Sequence, residues 1–254
     1  MSVDGSALRA SAPEHASSIE GGFVDADGVE RSGPLARCWA EPFELASPAR
    51  SFAAFKGQKN FTGEYWAATS RTQVGYESWV ERDAVMALDF DLAVVALASQ
   101  PFRLTWMEGE RERGHIPDYF VRLWDGTGVV VDVRPEALVD EDTAEVFAFT
   151  ARVCEEVGWQ FRHVGDLHQP YRVNLRWLSR YRHGRCYHAP SADRLREVFV
   201  EPLPLLTGAE RVGDRLAVLP VLYHLLWQQE LTADLVTAPL GTDTLVHLTS
   251  RDRS

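Results

Sequence analysis

The hydrophobic positions of this chain change period several times, and each change marks an element. Within residues 76–89, Val80, Ala84, Ala87 and Leu88 fall at i, i+4, i+7 and i+8, which predicts an amphipathic helix. Residues 94–106 are strand-like, with Gln100-Pro101 as an interruption or bulge, and the charged run 108–114 reads as a turn. Residues 119–124 are aromatic and aliphatic, Asp125-Gly126 is a turn signal, and residues 129–133 are β-branched; together they predict a β-hairpin. Residues 142–157 regain a helical period through Val146, Phe149, Val153 and Val157, and Gly158 is a natural stop. Residues 159–164 predict one more strand.

The order is therefore helix, three strands, helix, strand. The crossover from the hairpin through the 142–157 helix to the last strand is a βαβ unit, so the fold class is a mixed α/β sheet domain ending near residue 165. Residues 1–35 are rich in Ala, Ser, Gly and acids without a sustained period, and read as a flexible leader. Residues 36–70 are an aromatic-rich extension expected to pack against the domain that follows. From Pro170 the texture is helical. Residues 171–181 predict a short helix with Val173, Trp177 and Leu178 inward, residues 191–200 another with Ser191 as cap, and residues 216–230 an apolar helix entered at Pro220. Residues 231–235 resemble a turn into a short helix, and 244–248 a terminal strand. This predicts a small helical, winged-helix-like C-terminal domain over 169–254.

Composition adds bounds. The apolar fraction is 45%, with eight Trp and twelve Phe, enough for a real core, and no apolar run approaches membrane-spanning length. Cys38, Cys154 and Cys186 are odd in number and far apart, which fits a reducing cytoplasm better than a disulfide framework. A net charge of −11 argues against a generally basic surface. One local exception stands out: Arg172, Arg176, Arg180, Arg182 and Arg185 lie between Tyr171 and Pro190 with no acid among them. This line, with Tyr171, Trp177, Tyr181 and Tyr187 interleaved, is a candidate phosphate-contacting surface; a solvated helix face is the equal alternative. Lys56 and Lys59, the only lysines, are further candidates for DNA contact.

The candidate chemistry sits on the hairpin. Folded about Gly126, it places Asp118 opposite Asp132 and Arg134, which share a face. Two carboxylates and a cation would converge at one sheet end, with Glu77 or Glu81 of the preceding helix pointing towards them. Such hard oxygen donors suit Mg²⁺ or Mn²⁺, although surface strands with polar outward faces have the same spacing. His115 is read as capping the turn rather than joining the site. His183, Cys186 and His188 lack a fourth ligand for a structural zinc.

Several motifs carry a resemblance: Tyr76-Glu77-Ser78-x-x-Glu81-Arg82-Asp83, Leu88-Asp89-Phe90-Asp91, Gln100-Pro101, Pro117-Asp118-Tyr119 and Val131-Asp132-Val133-Arg134-Pro135. Over about residues 75–165 the chain resembles the TnsA family, endonuclease subunits of heteromeric transposases with a PD-(D/E)XK restriction-endonuclease-like core. The resemblance implies an αβββαβ core within residues 36–168. It assigns Glu81, Asp118 and Asp132 as metal-binding catalytic residues and Arg134 as the catalytic cation, where the family expects lysine. It also implies metal-dependent hydrolysis of the 5′ strand of double-stranded DNA at transposon ends, beside a DDE-type transposase and an ATPase regulator. Because Arg cannot serve as a base, the alternative is a weak or inactive subunit acting in transposase assembly and DNA positioning. A third reading is a DNA-binding regulator whose residues 170–254 hold duplex by themselves.

Overall fold

The protein is described by a computed structural model covering residues 18–50 and 61–250. Strands β1 (Glu20–Val24) and β2 (Glu30–Pro34) precede the short helix α1 (Leu35–Cys38). Strands β3 (Gly63–Trp66) and β4 (Gln73–Tyr76) lead to helix α2 (Trp79–Phe90). Then come β5 (Val94–Ser99), β6 (Arg103–Glu108), β7 (Arg111–His115), β8 (Tyr119–Leu123), β9 (Gly128–Val133), α3 (Glu141–Glu156) and β10 (Gln160–Val164). The remainder is α4 (Gln169–Leu178), α5 (Ala189–Val198), β11 (Leu203–Pro204), α6 (Leu205–Val212), α7 (Arg215–Trp227), β12 (Leu231–Ala233) and β13 (Leu245–Leu248). The chain is thus mixed α/β. It divides into two compact units: one takes residues up to 64 with 73–81 and 93–165, the other 65–72, 82–92 and 166 onwards. The first unit ends at Gly165. The assignment of 65–72 and 82–92 to the C-terminal unit leaves no mark in the sequence pattern, because a helix such as α2 gives no periodic signal where its contacts change.

In the first unit the expected sheet is present, in the order β10-β9-β8-β5. β5 and β9 run antiparallel to β8, β10 runs parallel to β9, and α3 makes the connection between β9 and β10. At the hairpin tip Gly126 has φ +88°, a left-handed conformation that glycine adopts without a Cβ penalty, and the Asp125 carboxylate accepts the Thr127 N–H at 2.9 Å. Two residues on, a Cβ at Gly128 would come within 2.7 Å of Phe120, so the hairpin closes over the aromatic core only because that position is bare.

A second sheet, β2-β1-β6-β7, was not expected. It corrects two readings. Residues 20–34, taken as the end of a flexible leader, form the hairpin β1–β2; residues 108–114, taken as a charged turn, are mostly strand, turning at Gly109 with φ +62°. Both segments are nearly silent in hydrophobic pattern. Only Phe23 in β1 goes deep into the core, and β7 is Arg-Glu-Arg-Gly-His, with Arg113 paired to Glu108 at 3.3 Å across the turn. Residues 1–17 lie outside the described residues.

The core of this unit joins both sheets to α3. Ile19, Phe23, Leu35, Phe43, Phe102, Leu104, Trp106, Phe120, Val130, Val153, Cys154, Val157 and Trp159 form one buried cluster. Phe43 meets the rings of Phe23, Phe102, Phe120 and Trp159 at centroid distances of 4.7–5.8 Å, mostly edge to face. The aromatic extension therefore packs as expected through Phe43, whereas Trp39 and Leu45 are exposed.

The second unit has helices α4–α7 and a small antiparallel sheet, β11-β13-β12. Several details differ from the sequence pattern. Helix α7 starts at the Asp214 cap, whose side chain accepts the Ala217 N–H, and Pro220 lies inside it. Residues 231–233 are strand rather than a turn into a helix, and α6 is an additional helix. On α4 the buried positions are Asn174, Leu175 and Leu178, while Val173 and Trp177 are exposed. The polar Asn174 is inward because its amide is fully used, by the carbonyls of Leu235 and Ala238 and the N–H of Leu240, at 2.7–2.9 Å.

Phe120 sits at the centre of the ring cluster with no exposed surface. Phe120→Ala is expected to lower the unfolding free energy by about 3–5 kcal/mol, measured by urea denaturation; a loss near zero would contradict the packing.

Candidate active site

The β8–β9 register pairs Tyr119 with Val131, so Asp118 and Asp132 face each other one step further along the ladder. Each carboxylate takes a main-chain N–H from the other's strand end. Asp132 Oδ1 accepts from Asp118 N at 3.3 Å, and Asp118 Oδ2 accepts from Val133 N at 2.7 Å. Asp132 is almost completely buried; Asp118 keeps some surface but is densely surrounded by protein. That burial, reinforced by the charges of Asp132 and Glu81, holds the Asp118 carboxyl well above the usual carboxylate range despite the Val133 hydrogen bond.

His115 was read as a turn cap, and the structure corrects this. Its Nε2 lies 2.8 Å from Asp132 Oδ2, because β7 ends where β9 approaches the same point. The signal available in the sequence was proximity to Pro117-Asp118, which an unrecognised β7 made ambiguous.

Glu81 is close enough to act on the Asp118 charge, yet both its oxygens are used at the start of α2. Oε2 accepts the Glu77 N–H at 2.7 Å and Oε1 the Ser78 hydroxyl at 2.9 Å, while Ser78 Oγ accepts the Glu81 N–H at 3.2 Å. This is a capping box, and Ser78-x-x-Glu81 is its sequence signature. Burial raises the Glu81 carboxyl's proton affinity.

Arg134 lies just beyond β9, is exposed, and donates from Nε to the Leu138 carbonyl at 2.9 Å. The chain turns at Pro135 into a 3₁₀ turn over Glu136–Leu138, and that turn supplies the acceptor. The expected convergence of the cation with the carboxylates is not what this side chain's hydrogen bond shows.

Glu77 and Gln100, both marked by the sequence pattern, form a third side of the site through contacts that spacing does not show. Glu77 pairs with Arg50 and accepts from Gln100 Nε2 at 3.2 Å, and the Gln100 N–H donates to the Asp118 carbonyl at 2.8 Å. The Tyr119 hydroxyl lies 3.2 Å from the Glu81 carbonyl and 3.3 Å from that of Gly75.

Among the described residues no three His, Cys, Asp or Glu side chains stand together as a ready metal cage. Two oxygen-donor carboxylates with one accessible side are nevertheless the set that Mg²⁺ or Mn²⁺ accepts when it retains several waters. Asp118 and Asp132 therefore fit such an ion; Glu81, engaged at the helix start, is not brought in as a third ligand.

No protein-family model matches the chain, and no curated protein does. The site is thus read on its own geometry.

The five arginines, all in the second unit, separate into committed and free charges. Arg176 grips buried Asp83 with two bonds of 2.6 and 2.7 Å. Arg182 donates to the carbonyls of Trp66 and Ser179 and covers the Tyr65 ring at 4.3 Å. Arg172 lies 3.9 Å from Asp166. Arg180, stacked over Trp177 at 5.3 Å, and Arg185 are exposed and form no ion pair among the described residues. Lys56 and Lys59 lie outside the described residues. His183 stacks on Trp66 at 4.3 Å and His188 bonds Ser191, so neither is arranged with Cys186 as a ligand set.

Two outcomes follow. Because the folded state raises the Asp118 pKa, ionisation there opposes folding. The penalty is absent below the ordinary carboxylate range, grows as pH rises from that range to the raised value, and stays constant above it. Asp118→Asn is therefore expected to raise the melting temperature most at pH 8, with the gain vanishing towards about pH 4; a gain independent of pH would refute the assignment. Arg176→Met is expected to cost roughly 1–3 kcal/mol in urea denaturation, less than a fully buried pair because Arg176 is partly solvated. Arg180→Ala, at an exposed guanidinium, is expected to leave stability nearly unchanged by the same measurement.

Proposed function

We propose that this chain is a divalent-metal-dependent endonuclease subunit that hydrolyses a DNA phosphodiester, with a restriction-endonuclease-like core in its first unit. The observation that carries the reading is the Asp118–Asp132 clasp at the shared end of β8 and β9. The sheet β10-β9-β8-β5, with α3 connecting β9 to the parallel strand β10, is compatible with the core implied by the TnsA resemblance, with β6 and β7 inserted between β5 and β8. A bound Mg²⁺ or Mn²⁺ would lower the pKa of its water and neutralise charge building on the phosphoryl group. Asp118 and Asp132 hold the ion, and His115 fixes the orientation of Asp132 through Oδ2. The ion's charge would also relieve the repulsion that lifts the Asp118 pKa.

In this reading the substrate is the 5′ strand at a transposon end, and the partners are a DDE-type transposase and an ATPase regulator. The second unit, winged-helix-like in its helices and small sheet, offers Arg180 and Arg185 for phosphate contact. A chain with net charge −11 gains the rest of its DNA affinity from that assembly.

A second reading is supported by Arg134. Exposed and bonded to Leu138 O, it leaves the two aspartates without the cation expected beside them, which favours a non-cleaving subunit that positions DNA within the same assembly.

The test is cleavage of end-labelled transposon-end duplex by the full chain with its transposase partner, in Mg²⁺ and in Mn²⁺. The wild type is expected to cut the 5′ strand and Asp118→Asn to fall to background. Cleavage surviving Asp118→Asn removes the proposed site. No wild-type cleavage in either metal, with activity appearing in Arg134→Lys, selects the second reading.

A further inference from the structure

Gln100 combines three features that a residue kept only for packing does not need. Its φ of +47° is left-handed, a conformation disfavoured for a side chain bearing Cβ and γ carbons, and Pro101 follows it. It is buried to 2% exposure. Its carboxamide oxygen, Oε1, is itself buried and has no hydrogen-bond partner among the described residues.

Everything else about Gln100 is tied down. Its N–H donates to the Asp118 carbonyl at 2.8 Å, its carbonyl accepts the Ala49 N–H at 2.7 Å, and Nε2 donates to Glu77 Oε2 at 3.2 Å. Exchanging the amide's nitrogen and oxygen does not help, since it would set the oxygen against the Glu77 carboxylate. A buried carbonyl oxygen without a partner is costly, and a strained backbone in the same residue adds to that cost. Both are borne one ladder step from Asp118, whose charge also feels Glu77.

We propose that Gln100 is a positioning residue of the Asp118 site, held in its left-handed conformation so that Oε1 accepts a hydrogen bond from an ordered water of that site. Water is the donor that fits. Among the described residues no protein donor lies within hydrogen-bond distance of Oε1. With Nε2 on Glu77 and Oε1 on the water, the carboxamide fixes that water relative to the Asp118 strand. The inference rests on the proposed nuclease reading for what the water serves, but not for its presence.

Two measurements on the full chain test it. A metal-free crystal structure is expected to show a water within hydrogen-bond distance of Oε1; an Oε1 bonded to a protein group, or with no water, overturns the proposal. Gln100→Met keeps the side-chain length and the backbone strain while removing the carboxamide. It is expected to hold the melting temperature within a few degrees, yet to lower kcat by about tenfold or more with little change in KM. A Gln100→Met protein that cuts like wild type overturns the positioning role. If the wild type cuts nothing while the water is present at Oε1, the nuclease reading fails and the water site stands.

Discussion

Two acidic side chains share one sheet end because the β8–β9 register lets Asp132 take the Asp118 N–H and Asp118 take the Val133 N–H. That register is a strong constraint. A slip of one residue would turn Asp132 to the opposite face, where Val130 now packs completely buried in the core cluster. The cost of setting like charges together is met by the ring cluster of Phe43, Phe102, Phe120 and Trp159, which pins the same two strands from within. Packing and site are therefore coupled through Phe120, next to Tyr119, which in turn follows Asp118. The polar end of the sheet exists because its apolar middle leaves no alternative alignment.

Much of this was legible in the sequence. The hairpin, its turn, the facing aspartates and the crossover through α3 all followed from two-residue and 3.6-residue periods. What escaped had physical causes. β1, β2 and β7 carry too few apolar residues to show alternation: β2 and β7 are the edges of their sheet, and β1, although interior, is Glu-Gly-Gly-Phe-Val with two glycines among its five positions. With β7 unseen, His115 had no strand to deliver it to Asp132. Glu81 was placed on the correct helix turn, and its local duty at the cap is written in Ser78-x-x-Glu81, a pattern that a search for metal ligands passes over. Arg134 followed strand alternation only as far as the strand lasts, and β9 ends at Val133.

The arginine line shows a different limit. Spacing of i, i+4 and i+8 describes a helix face but not what lies against it. Asp83, a buried carboxylate in α2, needs a partner wherever the chain can supply one, and Arg176 supplies it across 93 positions of sequence. Charge counted along the sequence therefore overstates charge available to a ligand. Of five arginines, two remain with open guanidinium groups, a modest surface for a polyanion.

The interleaving of the two units has a consequence for how the molecule comes into being. Neither is a continuous stretch: the second requires residues 65–72 and 82–92, made long before its bulk from 166 onwards. During synthesis α2 is complete while Arg176 is still far from the exit, so Asp83 waits for its bidentate partner until α4 arrives, whereas Asp89 already has Tyr65, Ala68 and Thr69 as donors. No single cut of the chain frees either unit intact. A fragment starting near residue 170 would lack Tyr65, Asp83 and Asp89, and its behaviour would report on an amputated domain rather than on the native one. Inheritance follows the same logic, since recombination at a single point cannot exchange one unit and keep the other whole.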